Sequence, residues 1–239
     1  MLEALIYAMK QWANPLSNLA ITCPLCSEPS TQLICPSCTR MLPEITAQCF
    51  QCGLPLNMVD TSHHALRCGQ CVKTPPAFDL CISPYPYALP INQFITQLKF
   101  QHKLYYAQVL AELLMTKIEQ HAEGLPDCII PVPLHKKRLR QRGFNQALEI
   151  ARPIAKRYAI KLDVRCCTRV VSTTPQMGQT KKARQKNIRH AFKVSPHFQY
   201  KHIAIVDDVM TTGQTVNELA RVLRKQGAKR IQIWSAARA

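Results

Sequence analysis

IAIVDDVMTTGQT, residues 203–215, is the stretch on which the fold turns. Four apolar residues run into two adjacent carboxylates, and two more apolar residues lead to a Thr-Thr-Gly-x-Thr bend. Such a run reads as a buried parallel strand feeding a phosphate-binding turn and then a helix. Asp207 and Asp208 are expected at the carboxyl end of that strand, where open α/β sheets place their ligands. Gly213 permits a positive φ and lets the backbone approach a bound anion. The N–H groups of residues 211–215, with the hydroxyls of Thr211, Thr212 and Thr215, are expected to form a nest around one phosphate. A helix from 214 to about 226 would direct its positive end at the same group. Two carboxylates beside that nest suit a sugar diol or a metal better than a second phosphate, which they would repel. A Walker-type loop is disfavoured because no Gly-Lys-Ser/Thr follows, and a dinucleotide fold because G-x-G-x-x-G does not occur among the seven glycines.

Outward from this stretch, residues 127–132 read as a buried strand running into Pro131-x-Pro133. Residues 162–171 are strand-like, and 230–234 form a second central strand beside 203–206. Residues 91–100, 105–120 and 143 to about 158 read as helices, the last kinked or restarted at Pro153. Strands alternating with helices imply an α/β fold with a doubly wound parallel sheet. Thr74-Pro75-Pro76 marks the expected boundary, leaving 77–239 as one α/β domain of roughly 160 residues, ample for a single core. Residues 172–190 are polar, Gly-bearing and basic, a composition suited either to a loop that closes over a phosphorylated ligand or to an exposed, disordered linker.

Before that boundary, eight of the twelve cysteines form four Cys-x-x-Cys pairs: Cys23/Cys26, Cys35/Cys38, Cys49/Cys52 and Cys68/Cys71. Each pair matches the knuckle that presents two thiolates to one tetrahedral zinc, so two Cys₄ sites are expected within residues 21–76. Sequential pairing closes the shortest loops, with an interleaved arrangement open as the alternative. His63 and His64 fall inside the second span, but the thiols alone fill both sites. Cys81, Cys128, Cys166 and Cys167 stand outside the pattern, and Cys128 lies in the apolar run CIIPVP, a core position. The competing explanation is a disulfide framework. The opening MLEALIYAMKQWANPL carries Glu3 early, lacks a basic n-region and is followed by no small-residue cleavage site. It reads as an amphipathic helix within residues 1–20, not as a secretory signal. No run of about 18 apolar residues occurs, so no membrane span is expected, and reduced cytoplasmic thiols holding metal follow. A closed Cys₄ site offers no open position to substrate, which makes the module a folding or partner-docking element.

The net charge of +17 is unevenly spread. Residues 1–80 hold four Lys/Arg against five Asp/Glu, a net of −1, so the remainder carries +18. Two clusters dominate: Lys136, Lys137, Arg138, Arg140 and Arg142, then Lys181, Lys182, Arg184, Lys186 and Arg189. An excess this large on one domain points to a polyanion, of which nucleic acid is the commonest.

IAIVDDVMTTGQT resembles the phosphoribosyl pyrophosphate (PRPP) signature of type I phosphoribosyltransferases at all 13 positions. That resemblance implies a type I phosphoribosyltransferase-like fold in which the two acids hold the ribose hydroxyls and the loop holds the 5′-phosphate. Asp207, Asp208, Thr211, Thr212, Gly213, Gln214 and Thr215 are then the expected PRPP ligands. Lys136, Lys137 and Arg138, in a basic loop after the strand, would neutralise the pyrophosphate, which carries Mg²⁺. The cysteine-rich ribbon, PVPL…RGFNQA, GQTKKARQKNIRHAF and VDDVMTTGQT together resemble the competence protein ComF family across essentially the whole chain. By that resemblance Arg142, Gly143, Phe144, Asn145 and Gln146 form one family motif, and Gln179, Arg184 and Asn187 belong to a second. It further implies a cytoplasmic role in natural transformation, handling incoming single-stranded DNA on its way to recombination. The two basic clusters would contact the DNA, and the ribbon would meet a protein of the uptake machinery. Two other readings stay open on sequence. One is an active phosphoribosyltransferase, with Asp207 and Asp208 orienting the sugar; the other is a PRPP-sensing regulator. The expected hood, residues 78–103, carries Tyr85, Tyr87 and Phe94 but no legible base-reading code.

Overall fold

The structure is a computed structural model, and it describes residues 21–56, 66–121, 124–171 and 190–239. The expected N-terminal helix, His63, His64 and the second basic cluster with Gln179 and Asn187 lie outside the described residues. The chain divides into two compact units, Met1–Leu42 and Pro43–Ala239.

In the first unit, β1 (Ile21–Thr22) and β2 (Pro29–Ser30) pair antiparallel, and α1 (Pro36–Arg40) follows. Cys35 caps α1 with its sulfur, and Pro36 opens the helix where a missing N–H costs nothing.

The second unit begins with the other cysteine cluster and α2 (Gly69–Lys73), followed by β3 (Leu80–Ile82), α3 (Ile91–Gln101) and α4 (Tyr105–His121). Next come β4 (Cys128–Pro131), α5 (Lys136–Arg142), α6 (Gln146–Tyr158) and β5 (Lys161–Leu162). The unit closes with β6 (Cys167–Arg169), β7 (Phe192–Val194), β8 (His202–Met210), α7 (Gln214–Lys225) and β9 (Arg230–Arg238). Five strands form one sheet in the order β3-β9-β8-β4-β5, every neighbouring pair parallel, and β6 pairs separately with β7. Burial on both faces explains the apolar runs of β4 and of Ile203–Val206 in β8. Ile203, Ile205, Ile231 and Ile233 share a cluster with Val216, Leu219 and Leu223 of α7. The buried polar residue Gln232 is satisfied by Trp234 Nε1 at 3.0 Å and by His202.

The strand order positions the site. The chain leaves β4 toward β5 on one side and β8 toward β9 on the other, so a crevice opens between the carboxyl ends of β4 and β8. Among the described residues no helix is long and apolar enough to cross a membrane.

Several elements differ from the sequence reading. The strand from 203 does not end at the acids: β8 runs on to Met210, because β9 extends beside it and pairs Asp207 with Ser235 and Met210 with Arg238. On its other flank β4 stops opposite Val206, where Pro131 and Pro133 supply no ladder N–H. The strand-like stretch 162–171 is broken by Asp163, whose carboxylate accepts from the N–H groups of Arg165 and Cys166 at 2.8 and 2.9 Å. The basic loop is helix α5, built from straight-chain residues and closed by Gly143 at φ 75°. Helix α6 starts at Gln146 and continues through Pro153. Leu80–Ile82, expected in the hood, is an edge strand of the main sheet.

Candidate functional site

A cleft of about 430 Å³ occupies the crevice at the ends of β4 and β8. Asp207, Asp208, Thr211 and Thr215 line it from β8 and the bend after it, with Val132 and Leu134 following β4. Arg138 and Arg142, four residues apart on one face of α5, line it as well, together with Asn145 and Gln146 at the start of α6. Lys136 and Lys137, one turn away, are exposed and do not line it. Tyr87, from the expected hood, lines it too, as do two cations that sequence did not single out, Lys99 of α3 and Arg169 of β6.

The motif at 142–146 has a local physical basis. Gly143 takes the left-handed conformation that ends α5. Asn145 caps α6, its side-chain oxygen accepting from Ala147 N–H at 3.1 Å while its amide donates to the Val132 carbonyl at 3.0 Å. That clamp fixes the helix to the end of β4. Arg142 donates to the side-chain oxygen of buried Gln146 at 2.9 Å. The amide nitrogen of Gln146 is buried without a hydrogen-bond partner among the described residues, an orphaned donor at the cleft wall.

Charge is arranged in two groups. Burial and the neighbouring Arg138 guanidinium lower the pKa of both Arg142 and Arg169, as expected of crowded, desolvated cations. Opposite them, Asp207 accepts from the Asp208 N–H at 2.9 Å, and Asp208 pairs with Lys99. Burial and then the Asp208 charge push the Asp207 carboxyl well above its ordinary range. The arrangement can hold an extended anion at one end and a polar, hydroxyl-bearing group at the other.

Asp207 therefore binds its proton more tightly in the folded state than in the unfolded chain. Above the ordinary carboxyl value of 3.8, stability contributed at this site falls as pH rises toward the native pKa. Asp207→Asn should thus stabilise the ligand-free protein at pH 8, with the gain vanishing near pH 4. Paired thermal melts across that range read this; a difference that does not change with pH contradicts it.

Gly213 caps α7 at φ 71°, a conformation that any side chain would strain, and no side chain caps the first turn. The bend separates two cavities. Thr211 and Thr215 face the cleft, whereas Thr212, Gly213 and Gln214 line a second groove of about 440 Å³ on the far side. Cys52, Cys68 and Cys71 form part of that groove's opposite wall.

The cysteines gather as two groups, Cys23, Cys26, Cys35 and Cys38, then Cys49, Cys52, Cys68 and Cys71, each with its sulfurs within 4.8 Å of one another. This is the sequential grouping. The Cys26–Cys35 and Cys52–Cys68 sulfurs are each 3.7 Å apart. A tetrahedron with metal–sulfur bonds of about 2.3 Å has edges of about 3.8 Å, so both groups fit a tetrahedral ion such as zinc. Backbone N–H groups point at the sulfurs, Cys35 N to Cys23 at 3.5 Å and Cys68 N to Cys49 at 3.3 Å. Burial works against ionisation of Cys23 and Cys49, but such N–H groups prevail and hold them at about 6 and about 7. The first group lies in the first unit and the second is built into the α/β unit.

The model of the phosphoribosyl transferase domain family matches residues 148–238. The DNA utilization protein YhgH of Salmonella typhimurium is 36% identical over 209 residues, 86% of this chain and 90% of that protein. Competence protein F of Haemophilus influenzae is 34% identical, with the same coverage of 86% and 90%. Competence protein ComFC of Streptococcus pneumoniae is 24% identical, covering 85% of this chain and 80% of its own.

Proposed function

From its membership of the competence protein F family, to which the chain belongs, we propose that it binds PRPP or a related phosphoribosyl ligand and handles single-stranded DNA in the cytoplasm during natural transformation. The observation that carries this reading is the convergence of Asp207, Asp208, Thr211 and Thr215 with Arg138, Arg142 and Arg169 in one cleft. In this reading the two acids hold the ribose diol and the bend before α7 cradles the 5′-phosphate. The guanidiniums, with Arg169 joining those of α5, face the pyrophosphate, which brings Mg²⁺ with it. Gln146 supplies the otherwise orphaned donor.

Lys99 holds one oxygen of Asp208, which leaves the other oxygen of that carboxylate to accept from the diol. The ions held by the two cysteine groups are zinc, and they make residues 21–76 a double ribbon that folds the region and meets a partner of the uptake machinery. The domain that follows, 77–239, carries the ligand site and the DNA surface.

DNA affinity in this account comes mainly from phosphate neutralisation by the basic residues of the second unit. The logarithm of the binding constant for a short oligonucleotide should therefore fall linearly with the logarithm of salt, at about −0.7 per phosphate contacted. Fluorescence anisotropy at several ionic strengths measures that slope. No binding even at low salt would remove the DNA half of the proposal.

A further inference from the structure

Helix α3 ends in Lys99-Phe100-Gln101, and His102 follows it in the left-handed region at φ 57°, its N–H bonded to the Gln97 carbonyl. The cap leaves Phe100 68% exposed, although phenylalanine is among the residues most often buried. Phe144, from the turn between α5 and α6, meets His102 edge-on with ring centroids 5.5 Å apart. The Arg142 guanidinium lies 5.9 Å from the Phe100 ring while it also lines the phosphate cleft. Two chain segments distant in sequence thus bring aromatic rings to the arginine that forms the cleft wall.

The charge around these rings has one sign along the chain. No acid occurs between Asp79 and Glu112 or between Asp127 and Glu149, while those stretches carry Lys99, Lys103 and the five cations of the 136–142 cluster. Exposed Phe100 and half-buried Phe144 sit among these cations, with Asp208 already engaged by Lys99. They match a polymer that offers flat π-faces and a phosphate at every step.

We propose that Phe100, His102 and Phe144 form a stacking step for the bases of single-stranded nucleic acid, whose phosphates run along Arg138 and Arg142. The step rests on the DNA-handling reading above and says where on the molecule the strand is gripped. Base stacking tolerates any sequence, because every base has a π-face, so the step would act without base preference. Arg142 joins both surfaces, its guanidinium reaching the ring on one side and the cleft on the other.

The test compares an oligothymidylate with an abasic strand of equal length, by anisotropy at one low salt concentration. Phe100→Ala with Phe144→Ala should weaken oligothymidylate binding about tenfold or more, and leave abasic binding within about twofold. Phe100→Trp should keep the affinity, and its added emission should be quenched by oligothymidylate but not by the abasic strand. Equal loss on both strands in the alanine variant, or no loss on either, overturns the step; the latter assigns the face to a protein partner or a second copy. If the unaltered protein bound neither strand, the DNA-handling reading itself would fail. Retained oligothymidylate binding by the double alanine variant sinks only the step.

Discussion

The double substitution Asp207→Ala with Asp208→Ala removes PRPP binding, with affinity falling by about two orders of magnitude or more. Each of the two acids can accept a hydrogen bond from a sugar hydroxyl, worth about 1.5–3 kcal/mol where the carboxyl is ionised, and both are lost together. Asp208 is held by Lys99 and Asp207 by the Asp208 N–H, so both are positioned before any ligand arrives. Neither residue contributes to the cysteine groups, and metal content should stay at two zinc ions per chain. The variant should also fold, because Asp207 is desolvated beside a like charge and its removal relieves that cost. Titration calorimetry and elemental analysis on the same preparation separate lost binding from lost structure. Unchanged PRPP affinity would mean that these acids do not touch the ligand.

Arg238→Ala should strongly destabilise the α/β unit. The buried guanidinium donates to the Cys52 carbonyl at 3.1 Å and to the Met210 carbonyl at 3.0 Å, and it contacts the Thr211 and Ala239 carbonyls as well. Truncation leaves these acceptors without their donor, a loss of about 3–5 kcal/mol, which lowers Tm by on the order of 10 °C in a unit of this size. Lysine cannot reproduce the planar fork, so Arg238→Lys should recover little. The same side chain joins the second cysteine group to Met210 and Thr211, which enter the bend before α7. Ligand affinity should therefore weaken in whatever fraction stays folded. Melts of both variants, with and without PRPP, check this; a Tm within about 2 °C of the parent contradicts it.

What sequence conveys about this protein is mostly local. The four Cys-x-x-Cys pairs are legible because a knuckle is closed by neighbouring residues, and the grouping follows from loop length. The parallel sheet is legible because strands buried on both faces need continuous apolar runs, as in residues 203–206. The ends of the strands are less so. Nothing inside IAIVDDVMTTGQT tells that β9 will continue alongside and carry pairing to Met210. Residues 134–142 read as a loop because five cations in seven positions repel one another, yet His135 and Gly143 cap them into a helix that aims Arg138 and Arg142 at the cleft. Lys99, Tyr87 and Arg169 arrive from α3, the segment before it and β6, brought together only by topology. Tyr87 fell within the expected hood, whereas nothing local to Lys99 or Arg169 marks them for the cleft.

The account depends most on the cleft gripping a phosphorylated ribose. Calorimetric titration of the unaltered protein with PRPP and Mg²⁺ tests this directly. It predicts saturable binding of one PRPP per chain, lost in the Asp207→Ala, Asp208→Ala variant and not reproduced by ribose alone. An absence of binding heat at millimolar PRPP, together with no rise in Tm, would contradict it.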